Sequence, residues 1–178
     1  MALTALVDLS RGSIEYSETD PALRKRFLGA RGIGAKILFD RVGARVAPFD
    51  PENCLIFTTG AFSGTPWPTA SRYHVTFKSP ATNAYGYANA GGHFGPELAH
   101  AGFDALIVTG RAAAPVYLQI TDRAIAIHPA NHLWGLTTTA THDQLLGAGG
   151  RVACIGPAGE RRVRIAAIIN DYGRAAAR

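Results

Sequence analysis

A glycine-rich stretch near the middle of the chain constrains the fold more than any other feature. Residues 89–95 read Asn-Ala-Gly-Gly-His-Phe-Gly and follow an apolar run at residues 84–88. Pro96, which suits the first position of a helix, comes next, and Glu97 suits the dipole of a first turn. The stretch therefore predicts a strand, a tight turn and a helix start. Such a turn is either a cradle in which free backbone N–H groups bind a phosphate or another anionic cofactor group, or a connection without a ligand.

Short apolar runs dominate the rest of the sequence and predict more strands than helices. Two hairpins are expected where a turn signal separates paired runs, around residues 10–12 and around residues 122–123. The remaining expected strands are residues 54–59, 72–78, 103–109, 152–155 and 163–169. Helices are expected after Asp20-Pro21 and at residues 35–42 and 137–146. This pattern indicates an α+β domain over residues 1–178, with mostly antiparallel or mixed sheets and a few short helices.

Composition and charge argue against several classes of protein. No apolar run approaches the roughly 18 residues of a membrane span, and the first residues lack the basic start of a signal peptide. Cys54 and Cys154 are far apart and form no CxxC pair, which fits a reducing, cytoplasmic setting. The net charge of +5 is concentrated in residues 151–178, but no nucleic-acid motif or aromatic platform accompanies these arginines. We therefore expect neither a membrane nor a nucleic acid as a partner.

The residue types that usually carry enzyme chemistry are scattered. The six histidines include no HExxH pair, Ser63 lies outside a GxSxG elbow, and the acidic residues form no evident dyad. Two arginines are better placed, because Arg72 follows the proline-rich loop at residues 65–71 and Arg174 follows an apolar strand. A guanidinium in such a position either binds a phosphate or a pterin edge, or is solvated at the end of a strand.

Seven stretches occur in the order found in one known family and together cover nearly the whole chain. They are FLGARGIGAKIL at 27–38, FDPENCLIFTTGAFSGTP at 49–66, SRYHVTFKSP at 71–80, ANAGGHFGPELAHAGFDALIVTGRA at 88–112, HLWG at 132–135, IGPAGE at 155–160 and AAIINDYGRAAAR at 166–178. On these motifs the chain resembles the N-terminal domain of the aldehyde ferredoxin oxidoreductase family, the tungsten-pterin enzymes. The resemblance implies that the domain is a base on which a bis-pterin cofactor carrying tungsten (or molybdenum) sits.

The resemblance also implies roles for individual residues. Arg72 matches the arginine that touches the pterin and lies between it and the iron–sulfur cluster. The other matched cofactor-contacting positions are Asn89, Gly91, Arg174, Ala175 and Ala177. The backbone carbonyls of Asn89 and Ala175 match those that hold the magnesium ion bridging the two pterin phosphates. The chain also departs from the family pattern, since Ala70, Ser71 and Ala177 stand where many members have glycine.

For the parent enzyme, the resemblance implies oxidation of aldehydes to acids with ferredoxin as the electron acceptor. The family's C-terminal domains carry the acid–base residues and the cysteines of the 4Fe-4S cluster, so we expect no catalytic residue in this segment. Cys54 and Cys154 alone cannot ligate such a cluster. Those C-terminal domains are the expected partners, and a homodimer is compatible with the family. The alternative is a standalone, non-catalytic module that binds a pterin or a phosphate, or that serves in assembly.

Overall fold

A six-stranded mixed sheet forms the centre of the structure, a computed structural model that describes residues 2–147 and 149–177. Arg178 of the basic end lies outside these ranges. The strands are ordered β2-β1-β6-β3-β4-β5, with β1 and β6 parallel and the other neighbouring pairs antiparallel. Their bounds are β1 Leu3–Asp8, β2 Ser13–Glu18, β3 Leu55–Thr59, β4 Tyr73–Lys78, β5 Tyr85–Ala90 and β6 Phe103–Thr109.

Two smaller sheets and several short helices surround the large sheet. A hairpin consists of β7 Val116–Thr121 and β8 Ala124–Pro129, and a three-stranded sheet consists of β9 Ala153–Cys154, β10 Ile168–Asn170 and β11 Arg174–Ala176. The helices are α1 Pro21–Phe27, α2 Ala30–Arg41, α3 Phe94–His100, α4 Thr138–Leu146 and α5 Pro157–Glu160, with a 3-10 turn at Asn131–Leu133. None of the helices in the described ranges is long and apolar enough to cross a membrane.

The large sheet is covered on both faces. On one side, which we call the α2 face, Ile56 of β3 packs against Leu38 of α2. On the opposite side, the α3 face, the ring of Tyr73 on β4 lies edge-on to Phe94 of α3, with 5.0 Å between ring centroids. Ala176 of β11 is buried beside Tyr73 on this face. The C-terminal sheet is therefore anchored on the large sheet where β4 and β5 lie.

The predicted α+β class with mixed sheets is confirmed, but α2 begins at Ala30 rather than at residue 35. Gly32 and Gly34, which we expected to precede the helix, lie inside it. A Cβ atom on Gly34 would lie only 2.5 Å from Oγ1 of Thr76 on β4. Glycine therefore lets the helix approach the sheet closely, and this tertiary packing outweighs its poor helix propensity.

Replacing Gly34 with alanine is expected to lower the free energy of unfolding by about 1–3 kcal/mol, because the added methyl group overpacks the interface with β4. Alanine has a higher helix propensity than glycine, so a loss of stability would have to come from the contact of the new methyl group with Thr76. Thermal or urea denaturation measures the change. Gly43→Ala is the control, since nothing lies within 4 Å of a Cβ at that position. A Gly34→Ala protein as stable as the native chain would contradict the close packing.

The glycine turn is shorter than expected. β5 continues to Ala90 and α3 begins at Phe94, so the turn comprises residues 91–93. Pro96 is consequently the third helical residue and not the first. A proline is tolerated there because N–H groups in the first turn have no intrahelical partner. A Cβ on Gly95 would lie 2.6 Å from the carbonyl oxygen of Ser71, which explains how the helix start sits against the beginning of β4.

The C-terminal segment differs most from expectation. The strand predicted over residues 163–169 is reduced to β10, and the strand predicted over residues 152–155 is the two-residue β9. The alternation before β10 was misleading because it buries nothing: Val163 and Ile165 are exposed, the latter by 74%. Arg174, expected to lie beyond the end of a strand, opens β11, which pairs with β10 and buries Ala176. The short α5 was not predicted.

Candidate functional site

Two polar side chains meet where β4 begins and β5 ends. Arg72 directly precedes β4, and its Nη1 donates a short hydrogen bond to Oδ1 of Asn89 on β5. Asn89 is the cross-strand partner of His74, and His74 alternates with Tyr73, so the Asn89 side chain belongs to the α2 face. Arg72 is exposed, and Asn89 is the only hydrogen-bond partner of its guanidinium within the described ranges. The remaining guanidinium donors are available to a ligand.

The turn at residues 91–93 is held by the C-terminal sheet. Asn170 donates from Nδ2 to the carbonyl oxygen of Gly91 at 2.9 Å, and the backbone N–H of His93 donates to Oδ2 of Asp171 at 2.8 Å. Gly92 has a φ of +98°, a conformation that favours glycine. The backbone N–H groups of Gly91 and Gly92 have no protein acceptor within residues 2–147 and 149–177. Two adjacent free donors suit an anion.

Asn170 is the buried centre of this arrangement. It is fully buried, and besides the bond to Gly91 its Nδ2 donates to the carboxylate of Asp171 at 2.7 Å. The hydroxyl of Tyr73 donates to its Oδ1 at 3.1 Å. Burial, together with the negative charge of Asp171, raises the pKa of Tyr73, so this phenol remains a protonated donor. One amide therefore joins β4, the glycine turn and the C-terminal sheet.

Arg174 reaches the same turn from β11. A Cβ on Gly91 would lie 3.6 Å from its Nη1, and a Cβ on Gly92 would lie 2.7 Å from its Cδ. Ser71 is also close, because its Oγ would lie 3.7 Å from a Cβ on Gly91. Arg174 is exposed, as Arg72 is. The fold thus brings the guanidinium of Arg174 to the glycine turn and that of Arg72 to Asn89, just before the turn, although the two arginines are far apart in the sequence.

The six residues predicted to contact a cofactor are not all in the same place. Arg72, Asn89, Gly91 and Arg174 lie together at the end of β5, and Ala175 follows on β11 as an exposed residue paired with Ile169. Ala177 instead lines a cavity of about 380 Å³ on the α3 face, together with Val75, Ala88 and Ile168. We call the surface formed by Arg72, Asn89, Gly91, Arg174 and Ala175 the β5-end surface.

Sequence reasoning did not single out the residues that support this surface. The sequence predicts Tyr73 only as a strand residue. Asn170 and Asp171 occur within the family motif at residues 166–178, but no role was predicted for either. The available signal was the Asn-Asp pair at the end of an apolar strand, since these residues tolerate a left-handed conformation and bond to nearby backbone. Asp171 indeed has a φ of +44°. The target of their hydrogen bonds, the distant glycine turn, cannot be read from that local pattern.

A thiol and an imidazole lie close together elsewhere but form no reactive pair. The Sγ of Cys154 is 3.6 Å from Nδ1 of His142. Burial raises the pKa of the Cys154 thiol to about 11, so almost none of it is thiolate at neutral pH. The two ring nitrogens of His142 lie 2.8 Å from the carbonyl oxygen of Thr138 and 3.1 Å from that of Val152. This cluster therefore joins α4 to β9 and serves the structure.

Three further polar or aromatic side chains, those of Ser63, His100 and Trp67, have structural partners. The Ser63 hydroxyl accepts from the backbone N–H of Gly60 at 3.0 Å, and Nε2 of His100 lies 2.8 Å from the carbonyl oxygen of Gly64. Trp67 stacks on Phe62 with 5.5 Å between ring centroids. Within the described part of the chain, no three His, Cys, Asp or Glu residues are grouped so as to hold a metal ion. At the β5-end surface, by contrast, the Arg72 guanidinium and the N–H groups of Gly91 and Gly92 keep donors without a protein acceptor in the described ranges.

Comparison with known proteins matches the chain to a family of oxidoreductase domains. The family described as "Aldehyde ferredoxin oxidoreductase, N-terminal domain" matches residues 4–178. The tungsten-containing aldehyde ferredoxin oxidoreductases of Pyrococcus furiosus and Thermococcus kodakarensis are 44% and 43% identical to the chain over 176 residues. These matches cover 97% of the chain but only 29% of each relative.

Two further matches have other activities in their names. The "Aliphatic sulfonate oxidoreductase, WOR-like subunit" of Pyrococcus furiosus is 31% identical over 189 aligned residues, covering 96% of the chain and 30% of the relative. A solved structure, the active site complex BamBC of benzoyl coenzyme A reductase with 1,5-dienoyl-CoA, superposes with a TM-score of 0.96 at 39% identity. It covers 99% of the chain and 28% of the matched protein.

Proposed function

The chain belongs to the family of aldehyde ferredoxin oxidoreductase N-terminal domains, and from this premise we propose that it forms the base that holds a pterin-bound tungsten (or molybdenum) cofactor. The family resemblance carried by the seven sequence motifs is thereby confirmed. The observation that carries the proposal is the β5-end surface, where Arg174 lies against a glycine turn with two free N–H groups and Arg72 bonds to Asn89 just before that turn. Anionic, planar ligands suit such a set of donors.

Each residue of the surface has a distinct part in this proposal. Arg72, oriented by its hydrogen bond to Asn89, would offer its free guanidinium donors to the edge of a pterin. Gly91 and Gly92 would present their N–H groups to a phosphate, and Arg174 would neutralise its charge from the other side of the turn. The bound metal supplies the two-electron redox chemistry, while this chain supplies binding and orientation.

The same surface would also offer backbone oxygens to a divalent cation that accompanies the cofactor phosphates. Magnesium prefers oxygen ligands, and in such sites it takes few from protein and more from phosphate and water. We propose the backbone carbonyl oxygens of Asn89 and Ala175 as the protein ligands, in keeping with the matched family positions. Cys54 and Cys154 would not serve as metal ligands, because burial raises the pKa of both thiols and so disfavours the thiolate that binds a metal. A 4Fe-4S cluster would be ligated by other domains.

Relatives that share this domain differ in the reactions their names state: aldehyde oxidation, a sulfonate reaction and benzoyl-CoA reduction. A part common to all of them is better suited to holding the shared cofactor than to selecting the substrate. We propose that the whole enzyme oxidises an aldehyde to an acid and passes electrons through the cluster to ferredoxin in the cytoplasm. The other domains of the enzyme would cover the β5-end surface. The enzyme would form a homodimer, as members of the family often do.

Replacing Arg72 with alanine tests this proposal. In the longest polypeptide that the gene encodes, we expect Arg72→Ala to reduce the bound pterin and metal by tenfold or more while leaving the melting temperature nearly unchanged. A charge-assisted hydrogen bond is worth about 1.5–3 kcal/mol, and Arg72 is exposed, so the fold does not depend on it. Metal analysis by mass spectrometry and pterin fluorescence measure the first effect, and calorimetry measures the second.

Arg26→Ala is the matched control, since Arg26 is also an exposed arginine but lies on α1, over the ring of Phe27. It should leave both the cofactor content and the melting temperature at native values. Equal loss of cofactor and of stability in Arg72→Ala would identify a structural arginine and would count against the proposal.

A further inference from the structure

The cavity of about 380 Å³ on the α3 face lies between the large sheet and residues 155–168. Its walls are largely apolar: the sheet contributes Leu55, Val75 and Val108, and the later segment contributes Ile155, Val163 and Ile168. Cavities that bind small molecules commonly have this size, apolar walls and a few well-placed polar groups. The cavity therefore suits a ligand whose body is mainly apolar.

Charged side chains also line this cavity, and they are Lys78, Arg162, Arg164 and Asp50. In the part of the chain that the structure describes, none of the three cations belongs to an ion pair. A hydrogen bond from Nζ of Lys78 to the carbonyl oxygen of Ala44, at 2.8 Å, orients the ammonium group. Positive charge thus exceeds negative charge around the cavity, and the excess attracts an anion.

Arg162 occupies a backbone position that glycine usually takes. It follows α5, where its N–H donates to the carbonyl oxygen of Gly159 and the N–H of Val163 donates to that of Ala158, both at 2.9 Å. This pair of bonds ends many helices, with glycine in the left-handed position. Here the position has a φ of +56° and holds an arginine, which strains the backbone. Because the Arg162 side chain lines the cavity without an ion pair, binding of a ligand explains this residue better than folding does.

The charged part of the cavity is distant from the β5-end surface. Arg72 directly precedes β4, and Lys78 is the last residue of that strand. Their backbones are therefore about 20 Å apart, since a strand rises about 3.3 Å per residue. The neighbours Ala88 and Asn89 alternate across the sheet, and Ala88 is the one that lines the cavity. The cavity is thus separate from the surface that carries the proposed function.

We propose that this cavity binds a small apolar monocarboxylate, such as a medium-chain fatty acid. The apolar body lies between the sheet and residues 155–168, and the carboxylate meets Lys78, Arg162 and Arg164. A guanidinium fork matches the two oxygens of a carboxylate. A phosphate dianion suits the cavity less, because it would lose more hydration against the apolar walls. This binding site goes beyond the cofactor-base function and does not depend on it.

Titration of the longest encoded polypeptide with octanoate, followed by isothermal calorimetry, tests the site. We expect saturable binding of one octanoate per chain. Octanamide, which lacks the charge, and acetate, which lacks the apolar body, should each bind at least tenfold more weakly. Because heat does not locate a ligand, an octanoate analogue bearing a diazirine provides a second measurement. After irradiation it should label residues 155–168 or β4, as mapped by mass spectrometry.

Replacing Arg162 with glycine separates ligand binding from folding. The substitution removes a cation and relieves the left-handed backbone, so octanoate should bind at least fivefold more weakly while the melting temperature stays at or above the native value. Arg161→Ala is the matched control, because Arg161 is the neighbouring exposed arginine and is not among the residues that line the cavity. It should bind octanoate with native affinity.

Four outcomes would overturn the inference: no saturable octanoate binding, equal affinity for octanamide, native affinity in Arg162→Gly, or labelling confined to other parts of the polypeptide. Chemical cross-linking of the native protein identifies the competing occupant. If octanoate does not bind and residues 155–168 cross-link to a later part of the same polypeptide, that part fills the cavity and the ligand site is wrong.

Discussion

Replacing Asn170 with alanine is expected to lower the free energy of unfolding by about 3 kcal/mol and to release the glycine turn from the C-terminal sheet. The substitution leaves the buried Tyr73 hydroxyl without its acceptor and the Gly91 carbonyl without its donor. Each unsatisfied buried group costs about 1–3 kcal/mol. Urea denaturation measures the loss, and the chemical shifts of the Gly91 and Gly92 amides report the release of the turn.

Asn131→Ala is the control for Asn170, because Asn131 is exposed and its side chain has no hydrogen-bond partner in the described ranges. It should change stability by less than about 0.5 kcal/mol. Tyr73→Phe removes only one of the bonds to Asn170, so it should cost about 1 kcal/mol, and its effect should be much smaller in the Asn170→Ala background. Simple additivity of the two substitutions would show that these residues do not act together.

Replacing Gly92 with alanine is expected to cost about 2–5 kcal/mol and to abolish cofactor retention in the longest encoded polypeptide. Two effects combine here, since a φ of +98° strains any residue with a side chain and the new methyl group collides with the Asp171 carboxylate and with Arg174. The methyl group would displace both Asp171, which holds the turn, and Arg174, which lies against it. Calorimetry measures the stability, and pterin fluorescence measures the retention.

Gly135→Ala separates backbone strain from collision. Gly135 has a φ of +85°, but nothing lies within 4 Å of a Cβ at that position. This variant should lose only about 1 kcal/mol, from strain alone, and should keep the cofactor. If Gly92→Ala and Gly135→Ala proved equally mild, the turn would not be tightly enclosed by Asp171 and Arg174.

The parts of the fold that sequence could predict are those governed by local patterns. Alternating apolar residues around clear turn signals predicted both hairpins, and Asp20 before Pro21 predicted α1, whose N-cap accepts a hydrogen bond from Ala22. α2 was truncated in the prediction because its glycines are explained only by contacts outside the helix, those of Gly34 with Thr76 on a distant strand and of Gly32 with Phe27 of α1. β11 was missed because a strand formed by Arg-Ala-Ala has no intrinsic signal and exists through its pairing with β10.

The candidate site shows the same division between local and long-range information. The glycine turn and the arginines before β4 and at β11 were visible as residue types, and the family motifs pointed to Arg72, Asn89, Gly91 and Arg174. Their convergence depends on Asn170, which bonds a residue 79 positions earlier in the chain. Such contacts become evident only in three dimensions.

The cofactor content of the longest encoded polypeptide is the measurement that tests the central claim most directly. We predict that the native protein purifies with tungsten or molybdenum and with pterin, and that the Arg72→Ala/Arg174→Ala double variant loses both while keeping its melting temperature within a few degrees. Both arginines are exposed, so the fold should survive their removal. A native polypeptide that is fully folded without metal or pterin, or a double variant that keeps its full complement of cofactor, would contradict the account.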